Sequence, residues 1–362
     1  MLDCISKFPY TQYMFTLTKA SKETKIILKL AAVITVVFII LFILFKFFSF
    51  VINIFFPSPP PKPTLYFGKL SYPAFPQSVS GKTFTYSVNT ISGHLPKLKT
   101  VVKINRIEVP KPDLLSLRKI SEKVSRAGFN NDPAKISNTV YDWNDTSDVL
   151  KKRIRVNILN YNFNLTADPY SDPDVVTGKN VPKKEEAISM AENFLKETDY
   201  LAEDLDLSKT QIKIYSLKNN GFTEASSISN AQVLQVIFFQ KDIDSIPIVY
   251  KTPGQSNIDV LVVGGNFQPQ ILGANYIHHT ISDVSSTYPI KSTQQAFDDL
   301  KEGKAYIASY HGTESNIAIS KVYLSFYFSD QDHEYTMPVI VFEGNDNFVA
   351  YVSAVTDEWI NK

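Results

Sequence analysis

Residues 30–56 read LAAVITVVFIILFILFKFFSFVINIFF, and Lys46 is the one charged residue among them. A helix needs about 20 apolar residues to cross the hydrocarbon core of a bilayer, and this run exceeds that length. A cleavable signal peptide carries a shorter apolar region, of about 7–15 residues, and a small-residue cleavage site. Here bulky side chains continue to Phe55-Phe56-Pro57 instead. Apolar residues on every face also set the run apart from an amphipathic core helix. The stretch is therefore read as a single transmembrane helix, a signal anchor that meets the lipid bilayer through residues 30–56.

The flanks predict its orientation. Lys7, Lys19, Lys22, Lys25 and Lys29 precede the run, and after it no basic residue follows until Lys62. Basic residues stay on the cytoplasmic side, so residues 1–29 form a cytoplasmic tail and the large remainder is extracytoplasmic, at the plasma membrane. Lys46 is long enough to carry its ammonium to the outer headgroups. Residues 57–63, PSPPPKP, cannot be helix or central strand and read as an extended tether.

Composition limits the partners. The net charge is +1 with 20% charged residues, so no basic patch points to nucleic acid. Cys4 is the single cysteine and lies in the tail. The exported part has no disulfide to hold it and depends on its own core. The 25 Phe and 19 Tyr supply the material for one.

Beyond the tether one order recurs: an amphipathic helix, then alternating strands. The first helix is predicted at 113–127, with Leu117, Ile120, Val124 and Ala127 at helical spacing and Gly128 to close it. Strands follow at 139–143, 152–159 and 161–166. Pro182, Glu185 and Glu186 open a second helix whose stripe is Ala187, Ile188, Ala191, Phe194 and Leu195. Strands follow at 211–217, 233–240, 257–263 and 270–277, with Asn219-Asn220-Gly221 as a turn. Ser292-Thr293-Gln294-Gln295 is a capping box for a third helix with Ala296, Phe297 and Leu300, ended by Gly303. Strands at 318–328, 337–343 and 348–355 close the chain. On the first of these Val322, Leu324, Phe326 and Phe328 share one face, and Tyr323, Ser325 and Tyr327 the other. The fold class is α+β: a transmembrane helix, then tandem modules of a helix on an antiparallel sheet, at 64–176, 177–281 and 282–362.

An ordered set lies in the last module. It runs through Tyr288-Pro289-Ile290-Lys291-Ser292, Ala296, Leu300, Gly303-Lys304-Ala305-Tyr306-Ile307, Val322-Tyr323-Leu324-Ser325-Phe326-Tyr327 and Pro338-Val339-Ile340-Val341-Phe342. This set resembles the C-terminal module of YycH/YycI-type proteins, single-pass extracytoplasmic regulators of a bacterial two-component system built from PepSY-like modules. The exported chain also resembles membrane-anchored proteins of candidate-phylum bacteria in Gly93-His94-Leu95-Pro96, Gly128-Phe129 and Phe342-Glu343-Gly344. The resemblance implies a partner in the envelope, such as a sensor kinase or a protease.

Signatures for chemistry are sparse. His94, His278, His279, His311 and His333 form no HExxH and have no cysteine companion. His278 and His279, if on a strand, point to opposite faces and do not chelate one metal together. No G-x-S-x-G elbow occurs, and Gly264-Gly265 reads as a turn between strands. Glu203, Asp204 and Asp206, and likewise Asp298-Asp299, read as solvated surface. No catalytic, cofactor-binding or metal-ligating residue is assigned. Tyr323 and Tyr327 are the candidate partner surface, since Tyr is enriched at interfaces. The reading is a non-enzymatic envelope protein that binds or regulates another, with a hydrolase or ligand-binding protein with a dispersed site as the alternative.

Overall fold

The computed structural model describes residues 17–55, 62–108, 111, 113–145, 149–218 and 221–361. Cys4, tether residues 57–61 and the turn residues 219–220 lie outside them. The chain divides into two units, 1–61 and 62–362.

In the first unit one helix runs from Leu17 to Phe55, beginning well before the expected start at 30. Its segment Leu28–Phe48 is 21 residues long, apolar, and wholly unburied. At 1.5 Å per residue that segment spans about 32 Å, the thickness of a bilayer core. Lys46 Nζ lies 5.7 Å from the ring centre of Phe42, one turn earlier on the same face.

The second unit contains a nine-stranded antiparallel sheet made of two meanders. The first runs Ala134–Lys135, Val140–Asn144, Arg153–Asn157 and Phe163–Thr166. The second runs Gly221–Glu224, Gln211–Lys218, Val233–Phe238, Ile258–Val263 and Gln270–Tyr276, in spatial order. They join through their last strands, with Phe163 opposite Tyr276 and Leu165 opposite Ala274. Each meander follows its own helix, Ser116–Arg126 or Lys184–Glu197. Alternation places Ile154, Val156, Val236 and Val260 in the core with these helices. Ala187 and Ala191, fully buried, let the second helix lie close to the strands. Gly128, at φ +97°, turns the chain out of the first helix.

An aromatic group closes the seam. The Phe163 and Tyr276 rings stack at 5.5 Å, and Tyr200 meets them edge-on at 4.6 and 4.9 Å. Opposite the helices, Arg155 grips its cross-strand neighbour Asp142 through two bonds of 2.7 and 2.8 Å.

A six-stranded sheet holds the C-terminal part. Its main path is Ile248–Tyr250, Asn316–Phe328, Met337–Gly344, Val349–Ser353 and Tyr306–Ser309, and Thr85–Val88 adds to Asn316–Phe328. Helix Thr293–Lys301 covers one face with Ala296, Phe297 and Leu300, against Leu324, Ile340, Phe342 and Val352. The capping box forms as predicted: Ser292 N–H donates to Gln295 Oε1 at 2.8 Å, and Gln295 N–H to Ser292 Oγ at 3.2 Å.

Sheet membership cuts across the boundaries 64–176, 177–281 and 282–362. Strands from the first two spans share one sheet. The beginning of unit 62–362 packs on its end instead: Leu70, Phe84, Val102 and Ile104 share a core with Tyr288, Phe342 and Val352. Leu70–Ser71 pairs in parallel with Ile360–Asn361, and Val101–Ile107 runs antiparallel to Ile281–Pro289. The physical reason lies in the six-stranded sheet, whose second face carries Tyr306, Tyr327, Val339, Val341 and Tyr351 and must also be covered. Phe75 does this, 5.0 Å from Tyr327 and 5.5 Å from Tyr306.

Candidate functional site

Tyr323 and Tyr327 share a strand face, as their spacing predicts, but not an environment. Tyr327 is 2% exposed and packs among Phe75, Tyr306 and Tyr351. It is core rather than surface. Tyr323 is half-buried and donates its O–H to Glu343 Oε1 at 2.7 Å. Burial, together with the carboxylate beside it, holds Tyr323 above the usual phenol range. Lys321 Nζ sits over its ring at 4.5 Å.

Tyr323 borders an open groove of about 700 Å³. Leu324 and Lys321 line it from the same strand, Lys97, Leu98 and Lys99 from the early chain, and residues 244–249 from a hairpin. Ile243 and Ile246 exchange backbone bonds across Asp244 and Ser245, both at positive φ, which makes a two-residue turn. Lys103 fixes this turn through Asp244 at 2.7 Å. Lys97, Lys99 and this hairpin are functional candidates that the sequence reading missed. An Asp-Ser pair between two isoleucines was the available signal.

The histidines build a second, smaller cleft of about 140 Å³. His278 and His279 come from the exit of strand Gln270–Tyr276, Asn157 and Asn160 from the turn after Arg153–Asn157, and Asp332 and His333 from the loop after Phe328. The pair lies just past the strand, and its two side chains do diverge. His278 Nε2 meets Asp204 Oδ1 at 2.6 Å. An ionised carboxylate only accepts, so the proton sits on Nε2. Gln240 Nε2 donates to Asp204 Oδ2 at 2.8 Å. Burial raises the Asp204 pKa, but the His278 and Gln240 bonds more than offset it, and the net shift is downward.

His279 turns the other way. It is 4% exposed, and its Nε2 donates to Ser329 O at 3.0 Å. Its ring centre lies 4.3 Å from that of His333. Burial, with His333 adding to it, drives His279 down to about 3. Burial also lowers His333, whose Nδ1 meets Gln331 O at 2.9 Å while its buried Nε2 has no partner among the described residues. Among the described residues no group of three His, Cys, Asp or Glu side chains is placed to hold a metal.

Two carboxylates read as solvated surface are engaged instead. Asp204 is held between His278 and Gln240. Asp299 is 8% exposed and accepts from Lys291 at 2.7 Å and from Lys304 at 3.0 Å. Lys291 also reaches Asp357 at 2.7 Å. Burial works against its charge, but the two carboxylates outweigh this and raise its pKa. His278 lies 74 residues from Asp204 in sequence, beyond any local spacing rule, whereas the lysines of Asp299 lie 8 and 5 residues away. Asp206 does stay local, capping its own turn through Ser208 N–H at 3.2 Å.

Against known protein families and curated proteins, the chain finds no match.

Proposed function

We propose that the chain is a single-pass, membrane-anchored extracytoplasmic protein of non-enzymatic type, whose unit 62–362 binds another envelope protein. The supporting observation is the groove beside Tyr323, apolar in its floor, basic at its rim and far roomier than the histidine cleft. Protein surfaces that combine an apolar centre with a charged rim and an amphipathic tyrosine suit association. The Lys bias around the apolar helix supports a cytoplasmic N-terminus. The resemblance of residues 288–355 to YycH/YycI-type regulators supports a sensor kinase or a protease as the class of partner.

A photo-crosslinking residue in place of Tyr323, in intact membranes, tests this reading. The expected result is one discrete adduct, absent when the residue replaces the exposed Phe267 in the turn between strands Ile258–Val263 and Gln270–Tyr276. Equal, diffuse labelling from both positions would overturn it. Topology is checked separately with an impermeant thiol reagent on a cysteine introduced at Phe267, which should react in intact cells.

A second reading rests on the His278–Asp204 pair. A carboxylate-held imidazole beside Asn157, Asn160 and Asp332 suits a small polar ligand. Saturable binding of such a ligand, lost in His278→Ala, would favour it.

A further inference from the structure

Strand Asn316–Phe328 has two short parallel partners along one edge. Thr85–Val88 lies beside Asn316–Ile319, and Ile248–Tyr250 beside Phe326–Phe328. Between them, residues 320–325 have no strand alongside among the described residues. At strand rise the gap is about 20 Å long. Phe326 N–H points into this side, donating to Pro247 O at 2.9 Å. Register with Met337–Gly344 is unbroken from Lys321 to Tyr327. The two-residue period of a strand therefore turns the N–H and C=O groups of Val322 and Leu324 to the same open side. Among the described residues nothing else bonds to them there.

The groove beside Tyr323 runs along this gap and offers walls on both faces of the sheet. Leu98, Ile246 and Leu324 belong to the core under helix Thr293–Lys301, and Val249 and Tyr323 to the opposite one. An extended chain laid into the gap would present its alternate side chains to these two walls. Its charge is also specified. No carboxylate lies within ion-pair reach of Lys97 or Lys99 among the described residues, whereas Asp244 is held by Lys103 and Glu343 by Tyr323 and Lys321.

We propose that this edge takes up an extended, acidic and apolar segment of another protein as an added strand, hydrogen-bonded to Val322 and Leu324. The proposal rests on the binding-protein reading and names the chemistry of its partner. Strand addition draws affinity from main-chain bonds and selectivity from alternate side chains, and an open edge is its template. The neighbouring strands limit the added strand to a few residues.

The test uses the full chain in lipid nanodiscs and the peptide acetyl-Glu-Val-Glu-Val-Glu-Val-amide. Expected are saturable binding that weakens with salt, and slowed amide exchange at Val322 and Leu324. A peptide with lysines in place of its glutamates should not bind, nor one N-methylated at alternate amides in either register. The doubly substituted Lys97→Glu, Lys99→Glu chain, altered only at exposed side chains, should bind about tenfold more weakly. Equal binding of the N-methylated peptides, or protection confined to other strands, would overturn the proposal. Protection at Val322 and Leu324 that grows with the chain's own concentration would overturn it too, making the occupant a second copy. A crosslinked partner seated on another face removes this edge but leaves the binding-protein reading standing. Peptide binding here, with no partner found in membranes, does the reverse.

Discussion

The two sheets of unit 62–362 bury their apolar side chains in different ways. The nine-stranded sheet is covered by helices that immediately precede its strands in sequence; on its opposite face the first meander is polar, with Arg155, Asp142 and Asn164, while the second carries a small core of Val233, Val263 and Leu272 with Leu150 and Val175. The six-stranded sheet has a helix on one face, and on the other a segment that enters from more than 200 residues earlier, as where Phe75 packs on Tyr306 and Tyr327. Both of its faces are core. A cover supplied locally leaves a sheet that can fold with its neighbours in sequence. A cover supplied from a distance ties the start of unit 62–362 to its end, and folding of that part waits on closing a long loop.

Deleting residues 64–88 breaks this contrast most severely. It removes Leu70, Phe75 and Phe84 and uncovers Tyr306, Tyr327 and Tyr351. Amide exchange should show protection lost across 306–353 and retained across 140–166 and 233–276. Uniform loss would mean that the two sheets stand or fall together.

Single truncations come next. Tyr327→Ala and Trp143→Ala, one in each core, should each cost about 3–5 kcal/mol in urea unfolding. A cost below about 1 kcal/mol for Tyr327→Ala would return that residue to the surface.

Acid sharpens the comparison at the junction of the two regions, where His279 from one meets His333 from the other. The ordinary histidine pKa is 6.5, and burial holds His279 at about 3. The unfolded chain therefore takes up the proton first. The contribution of neutral His279 is complete above pH 6.5 and shrinks as the pH falls towards 3, by up to about 1.4 kcal/mol per pH unit. Asp259, pushed up to about 6 by burial, has the opposite slope between pH 6 and 4. The informative quantity is thus the stability difference between the parent and His279→Gln, which should narrow as the pH drops through this window. A constant difference would show that His279 is not held neutral by the fold.

The smallest effect belongs to Tyr323→Phe, which removes the bond to Glu343 at a half-exposed site. About 1 kcal/mol or less is expected in the same urea experiment.

Local signals carried far. The capping box at Ser292, the Ala187 and Ala191 stripe and the two faces of 316–328 are each legible within a turn or two of chain. The cover on the second face of that strand is not, because residues 64–100 are irregular, proline-bearing and without a repeating period. Tyr323 and Tyr327 look alike for that reason, although Phe75 buries only the second. The His278–Asp204 pair was equally hidden, since a hydrogen bond between loops 74 residues apart leaves no spacing to read. Lys97 and Lys99 reach the groove only because residues 89–100 cross from strand Thr85–Val88 to strand Val101–Ile107.

Residue-resolved amide exchange on the unliganded full chain in nanodiscs tests the central claim most directly, that strand Asn316–Phe328 is covered on both faces yet open along one edge. Lys321, Tyr323 and Ser325, bonded to the neighbouring strand, should be protected, while Val322 and Leu324 exchange about a hundredfold or more faster. Equal protection at all five amides would contradict an open edge, and with it the surface through which this protein is proposed to act.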